Sequence, residues 1–458
     1  MTSGPQDPIE ELGSSAETDR IWRTGPIWMA SDRPLARFVG RPVAGFLRVE
    51  AAGGIVLLLA AVAAMVWANS PWAASYNALW ETELAIRLGP VQIVEDLRHW
   101  VNDALMVLFF FVVGLEIKYE IVSGELRDPR SASVPIVAAL GGMVVPAAIY
   151  AAFNAGGPGS SGWGIPMATD IAFAVGVLGL LGRRIPSPAR VFLLTLAIVD
   201  DIGAIVVIAV FYTADLSLGW LAVAAGGVLL IVALRRLRVW SMSVYVLVGV
   251  VVWFATYESG VHATIAGVTL GLLAPALPLL DQEAAREYAK EAIADHHLDA
   301  HELRRYRFLL AESVPVAERV GSRLHPWSSY LVLPIFAFAN AGITLSGGAL
   351  VEALTAPVTA GVALGLLLGK PVGILAASWL TVRAGLGRLP DRTSWQMMAG
   401  LGVVAGIGFT VSLFITGLSF PGADVLVGDA KVGVLGGSVL AALLGSGALV
   451  LATRRQRD

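Results

Sequence analysis

A chain of 458 residues, 56% hydrophobic and only 15% charged, is too apolar for a soluble domain of that size; the composition is that of a polytopic membrane protein. A net charge of −3 argues neither for nucleic acid nor for an acidic partner, and the absence of cysteine excludes disulfides, thiol catalysis and cysteine-ligated metals.

In chain order, residues 1–45 mix Pro, Gly, Ser and charges without apolar periodicity, and they read as a disordered tail rather than a cleaved signal peptide. A membrane-embedded domain is expected over 46–453, followed by a short terminus at 454–458. Its apolar runs are long enough to cross a bilayer near 46–68, 99–117, 132–153, 164–182, 189–212, 217–234, 239–257, 260–277, 327–345, 356–380, 394–418 and 431–452, twelve in all. The cations divide the connections into two sets. Arg33, Arg37, Arg41 and Arg48 precede the first span, and Lys118, Arg127, Arg130, Arg183, Arg184, Arg190, Arg235, Arg236, Arg238, Arg383, Arg388 and Arg392 fill alternate loops. Arg454, Arg455 and Arg457 follow the last span, whereas loops near 154–163, 213–216, 258–259, 346–355 and 419–430 have no Lys or Arg. Short cytoplasmic loops accumulate these residues, so both termini are expected in the cytoplasm, with the body in the inner membrane.

Two connections differ from the rest. Over 81–94, Leu84, Ile86 and Leu88 alternate, Gly89-Pro90 turns the chain, and Val91 and Ile93 resume the pattern, which predicts an extracytoplasmic β-hairpin. Such a hairpin, unless it is a plain surface loop, can pair with its twin in a homodimer. The cytoplasmic stretch 281–324 carries Glu283, Arg286, Glu287, Lys290 and Glu291 at helical spacing, predicting a solvated charged helix. Asp295-His296-His297 with His301 has a spacing that can hold a metal, but the solvated helix accounts for it as well.

The chemistry-bearing residues are the charges that lie where charge is expensive. Asp200 and Asp201 fall in the middle of the run from Ala189 to Tyr212, Asp170 lies in the fourth span and Lys370 in the tenth. At a few kcal/mol each, the four cost on the order of 10 kcal/mol unless they neutralise one another or bind something. One ion pair leaves two carboxylates over. Consecutive helical residues point about 100° apart, so one of Asp200 and Asp201 can meet Lys370 while the other faces a cavity. The fourth span opens Gly164-Ile165-Pro166-Met167-Ala168-Thr169-Asp170, and the eleventh carries Gly400, Gly402, Gly406 and Gly408 before Phe409-Thr410; both are expected to be interrupted. Broken helices aim dipole ends at the membrane interior, where Asp170 and Lys370 offset their partial charges. The glycines, like Gly365, Gly369 and Gly373, are also explained by close helix packing. Spans three to five and ten to twelve start on opposite sides with an interrupted middle member, the arrangement of inverted repeats.

The stretches Ala168-Thr169-Asp170-Ile171-Ala172-Phe173-Ala174, Leu196-Ala197-Ile198-Val199-Asp200-Asp201-Ile202-Gly203-Ala204, Gly260-Val261-His262-Ala263-Thr264, Leu333-Pro334-Ile335-Phe336-Ala337-Phe338-Ala339-Asn340-Ala341-Gly342 and Gly369-Lys370-Pro371-Val372-Gly373 resemble the NhaA-type sodium/proton antiporters. So do Val113-Gly114-Leu115-Glu116-Ile117-Lys118 and Gly406-Ile407-Gly408-Phe409-Thr410, and the likeness runs in order from about residue 46 to 452. The resemblance implies an exchanger that expels Na⁺ or Li⁺ against a larger number of inward protons, without a cofactor. It implies Asp201 as principal cation ligand, Asp200 as its partner and proton carrier, Thr169 as a helper, Lys370 as the partner of Asp200 and a second proton carrier, and Asp170 as compensation for the helix ends. It further implies that His262, Glu116 and Glu120 respond to pH, although a histidine bonded at a helix start and two acids at a solvated helix end would look the same, and Asp103 is similarly ambiguous. Gly321-Ser322-Arg323 stands where the family carries an acid and a histidine implicated in pH control, and the preceding linker is longer. The physical logic runs in parallel: Na⁺ wants oxygen ligands, a protonated carboxylate is a poor one, and competition for the same oxygens suffices for exchange.

Two other classes use similar residues. An intramembrane aspartyl protease needs two carboxylates, for which Asp170 and Asp200 could serve, but has no need of Asp201 and Lys370. A sodium-coupled symporter of an organic solute needs the same fold with room beside the carboxylates for its substrate.

Overall fold

The computed structural model describes residues 51–455 apart from 89–90, 214–215, 238, 240, 295–298 and 344–346. The expectations for 1–45, for the Gly89-Pro90 turn and for Asp295-His296-His297 lie outside the described residues.

The protein is mostly helical with one small hairpin. In order come α1 (Ala52–Ala68), α2 (Ala73–Trp80), β1 (Glu83–Leu88), β2 (Val91–Asp96), α3 (Met106–Val122), α4 (Pro129–Asn154), α5 (Ile171–Leu181), α6 (Ser187–Phe211), α7 (Leu218–Arg236), α8 (Met242–Glu258) and α9 (Thr264–Leu273). They are followed by α10 (Gln282–Ala294), α11 (Ala300–Glu312), α12 (Val316–Trp327), α13 (Leu333–Asn340), α14 (Gly347–Thr355), α15 (Pro357–Leu364), α16 (Lys370–Arg383), α17 (Trp395–Ala405), α18 (Phe409–Ser419) and α19 (Asp424–Arg455). Single π-helical turns at Val101–Leu105, Ser328–Val332 and Gly365–Gly369 lead into α3, α13 and α16.

Among the described residues, six helical stretches are long and apolar enough to cross a bilayer, and α17 with α18 forms a further one bent by 45°. Their packing is inside-out relative to a soluble core. In α1 the small Ala61 and Ala64 are buried while Leu59 and Val66 are exposed at 62% and 65%. Lipid solvates large aliphatic groups as well as the protein does, so close contact between small residues supplies the association instead. The glycines of the tenth span act this way: a Cβ on Gly369 would stand 2.7 Å from Pro146 Cα, and one on Gly373 would collide with the Gly141 carbonyl. α4 and α16 therefore touch backbone to backbone beside the functional site.

The hairpin is antiparallel, with Leu84 opposite Glu95 and Ile86 opposite Ile93, and it starts two residues later and ends two residues later than the expected 81–94. Leu84, Ile86 and Val94 remain exposed. Trp100 Nε1 donates to Leu84 O at 2.9 Å and Tyr257 OH to Glu95 Oε1 at 2.5 Å, tying the hairpin to the starts and ends of membrane helices. The linker forms the three helices α10, α11 and α12 rather than one. The hairpin and the linker mark two faces of the molecule, called here the hairpin face and the linker face.

Both spans marked by glycine or proline are interrupted. In the first, a 3₁₀ segment (Ser160–Met167) gives way to extended Ala168-Thr169-Asp170 before α5. In the second, α17 stops at Ala405 and α18 starts at Phe409. The two breaks cross, since Asp170 N donates to Ile407 O at 2.7 Å.

Candidate ion-binding site

The site is assembled where the crossing breaks meet α6 and α16. Extended Asp170 leaves its side chain free to cap α5, accepting from Phe173 N at 3.0 Å. Its other carboxylate oxygen takes the start of α18, accepting from Thr410 N at 2.9 Å and Thr410 Oγ1 at 2.5 Å. One buried carboxylate thus serves the positive ends of two half-helices at once. Ser438 Oγ takes the remaining amides of that start, Gly408 N and Phe409 N, each at 3.2 Å. The carbonyl end of α17 is met differently: Thr169 Oγ1 lies 2.8 Å from Ala405 O.

Thr169 is also the hinge of a charged group. Lys370 Nζ donates to Thr169 Oγ1 at 2.8 Å and forms a direct ion pair with Asp200 Oδ2. Thr169 Oγ1 stands 2.7 Å from the same Asp200 oxygen, so its one proton can go to Asp200 or to Ala405 O, but not to both. Thr169, Asp200 and Lys370 are all completely buried. Removing one partner from a buried pair leaves an uncompensated charge, which makes the three interdependent.

Asp201 stands apart from this group. The turn of α6 sends it away from Lys370, and its Oδ1 is buried with no hydrogen-bond partner, as is Asp200 Oδ1. What Asp201 faces is a cavity of about 570 Å³. The cavity is lined by Glu120, Glu318 and Ser322 at the linker face, by Glu116 further in, and by Asp170, Asp201 and Thr410 at the bottom. The cavity is mostly apolar with carboxylates along its wall, and its size admits water and an ion to Asp201, which among the described residues has no cation paired with it. His325 also lines it.

The remaining candidates lie elsewhere. Glu120 is engaged at the end of α3, where Oε2 accepts from Glu125 N at 2.9 Å, besides lining the cavity. His262 is on the hairpin face at the start of α9, with Nδ1 2.9 Å from Thr264 Oγ1 and Nε2 3.4 Å from Asp103 Oδ1, its ring edge-on to Phe414. It is therefore both a bonded helix-start histidine and the neighbour of Asp103. Thr410, Ser438 and the carbonyls of Ala405 and Ile407 were not legible as site groups. Gly406-Ile407-Gly408-Phe409-Thr410 holds the signal that points to them, because a Gly-x-Gly break exposes backbone groups that need partners.

Interrupted helices, buried carboxylates paired unequally with one lysine, and a water-sized path to the unpaired acid define an ion-handling membrane transporter. The sequence profile of the family described as Na+/H+ antiporter 1 matches residues 44–449, and the chain belongs to that family. Among similar proteins, the Na(+)/H(+) antiporter NhaA 2 of Sorangium cellulosum (strain So ce56) is 47% identical, over 91% of this chain and 91% of its own. The Na(+)/H(+) antiporter NhaA 3 of Frankia alni is 48% identical over 89% of this chain and 88% of its own, and the Na(+)/H(+) antiporter NhaA of Bordetella petrii 47% over 90% and 91%. The protein is an integral multi-pass Na⁺/H⁺ antiporter, a transporter and not an enzyme.

Proposed function

We propose that the protein exchanges Na⁺ or Li⁺ for protons electrogenically, with Asp201 as the cation ligand and Asp200 as its partner and proton carrier. The observation that carries this is the division between the two acids: Asp200 is locked to Lys370 and Thr169, whereas Asp201 presents an unpartnered oxygen beside the cavity. Na⁺ is a hard cation that takes carboxylate and hydroxyl oxygens, so its arrival at Asp201 competes with a proton on the same group. Recruiting Asp200 as a second ligand requires Lys370 to let go of it, which makes Lys370 a second carrier of the exchanged protons and the transfer electrogenic. Thr169 Oγ1 is placed to follow that change by turning from Asp200 to Ala405 O. Asp170 compensates the half-helix starts and takes no cation.

Alternating access follows from rocking two inverted repeats of a twelve-span body around this point, with the linker face in the cytoplasm of the inner membrane. The alternation of Lys- and Arg-rich loops supports the orientation, and the crossing of two interrupted helices supports the repeats. Glu116 and Glu120 on the cavity wall, and His262 beside Asp103 on the opposite face, tune the response to pH. The exposed edge of the hairpin, with Leu84, Ile86 and Val94 uncovered, supports pairing with a second copy.

Everted vesicles energised with a pH gradient test the reading. Adding Na⁺ or Li⁺ should discharge the gradient, and an imposed membrane potential should change the rate. No response between about pH 6 and 9 by folded protein removes the exchange reading, and indifference to voltage removes its electrogenic part.

A further inference from the structure

The linker between α9 and α13 contributes α12 and the π-helical turn after it to the cavity, and its middle helix has a surface of another kind. α11 starts with a reciprocal cap, in which Asp299 Oδ1 accepts from His301 N and Glu302 N while Glu302 Oε2 accepts from Asp299 N. It packs against α10 as a hairpin. Glu302, Tyr306 and Leu309 occupy its half-buried side. The exposed arc carries Leu303, Phe308 and Leu310 together with Arg304, Arg305 and Arg307, and it holds no carboxylate. Leu303 and Leu310, seven residues apart, point within about 20° of one another and are 58% and 41% exposed. Arg304 Nε donates to Ala300 O at 3.0 Å, but among the described residues none of the three arginines has a carboxylate partner. α10 shows what a merely solvated helix looks like here: its exposed Glu283, Arg286, Glu287 and Lys290 balance one another.

The position of α11 matches its surface. Leu279 N and Leu280 N, a few residues past the end of α9, donate to Glu312 O at 3.0 and 3.1 Å. Those bonds hold the last turn of α11 against the chain that follows the apolar helix α9, next to Leu277 and Leu279, which are 69% and 55% exposed. Glu312 in turn pairs with Arg319 at 2.9 Å in α12, whose residues line the cavity.

We infer that the exposed arc of α11 docks on anionic phospholipid at the linker face, with its leucines in the interface and Arg304, Arg305 and Arg307 on headgroup phosphates. Leucines among cations beside exposed apolar residues at the end of a membrane-type helix are the features of an interfacial helix, and cations without acids are complementary to an anionic leaflet. The inference does not rest on the transport reading.

The chain has no cysteine, so Leu303→Cys in the otherwise unaltered full-length protein accepts a single nitroxide label. The protein is reconstituted in phosphatidylcholine vesicles with and without phosphatidylglycerol, and collisions of the label with oxygen are compared with those of a water-soluble nickel complex. With phosphatidylglycerol the label should favour oxygen; without it, or with Arg304→Gln, Arg305→Gln and Arg307→Gln together, it should favour nickel. The corresponding triple Lys variant should restore the oxygen preference, and a label at Glu283→Cys on α10 should favour nickel throughout. If the triple Gln variant does not fold, molar KCl added to the arginine form must by itself release the label, because it shortens the screening length to about 3 Å. A label that favours nickel in both lipids overturns the inference, and is the outcome expected if a soluble protein covers this arc. A label that favours oxygen in both lipids, whatever the arginines, also overturns it.

Discussion

The two interrupted spans look alike in outline and contribute unlike things. The break before α5 supplies side chains, Thr169 and Asp170, from an extended backbone. The break between α17 and α18 has no charged residue and supplies backbone: the carbonyls of Ala405 and Ile407 and the amides of Gly408, Phe409 and Thr410. Each is incomplete without the other, because Thr169 and Asp170 of the first satisfy Ala405 O, Ile407 O and Thr410 N of the second, leaving Gly408 N and Phe409 N to Ser438. The difference teaches that a charged residue in an apolar run and a Gly-x-Gly in an apolar run can be two halves of one site.

The largest effect should come from the acid that both breaks leave free. Asp201→Asn is expected to lower Na⁺-dependent discharge of a pH gradient by about two orders of magnitude or more while the protein still migrates as folded material. Retention of the normal rate would remove Asp201 from its role, and exchanging its assignment with Asp200 would be the next reading to test. Asp170→Asn attacks the join itself, replacing an anion that accepts from both half-helix starts with a group that has its own donors. It should cost about 2–4 kcal/mol of stability, read as a lowered thermal midpoint in detergent. An unchanged midpoint would show that the two starts do not depend on that charge.

The comparison predicts different tolerances at the two breaks. Thr169→Ser keeps the hydroxyl and should cost less than about 1 kcal/mol, whereas Gly406→Ala places a Cβ against the Leu366 carbonyl and 3.0 Å from Val403 O, and should cost about 1–3 kcal/mol. Equal tolerance in a thermal-shift series would contradict the assignment of side chains to one break and backbone to the other.

The smallest effect lies far from both breaks. His99, on the hairpin face, is held above its usual value: burial opposes its charge, but Asp96 Oδ1 at 2.8 Å and the charges of Asp96, Glu95 and Asp103 outweigh it. Asp96 moves the other way, since its own burial is outweighed by the backbone and ring of His99. The histidine's contribution is therefore complete below about pH 6.5 and disappears as pH rises through its raised value; that of Asp96 is present above about pH 3.9 and disappears as pH falls through its lowered value. His99 is exposed and Asp96 only half-buried at the surface, so solvent screening should keep the contribution below about 1 kcal/mol. Hydrogen exchange over Glu83–Asp96, corrected for intrinsic rates, should be slower at pH 6 than at pH 8, and His99→Ala should flatten that difference while leaving the breaks unaffected.

Legibility followed cost. Asp170, Asp200, Asp201 and Lys370 stood out because charge is expensive in a bilayer, and Pro166 and the glycines stood out because they interrupt helices. Thr410 did not, since a threonine in a membrane helix satisfies itself on its own backbone and marks nothing by its presence. The carbonyls of Ala405 and Ile407 carry no residue type at all. Asp103 and His262 were each visible, but their contact joins separate spans and no spacing rule could pair them. Apolar runs marked membrane helices in general, but not the π-helical turns ahead of α3, α13 and α16. In the linker, charge periodicity foretold helix, and only packing divides it into three.

The ion pair of Asp200 with Lys370 joins positions 170 residues apart, and that separation matters before the protein is finished. A ribosome adding about 5–20 residues per second delivers the lysine on the order of ten to thirty seconds after the acids. During that interval Asp170, Asp200 and Asp201 are already part of a hydrophobic segment, and neither Lys370 nor Thr410 yet exists. The nascent acids must wait as neutral groups or in water held by the insertion machinery, so the order of synthesis, as much as the final geometry, decides whether this centre assembles.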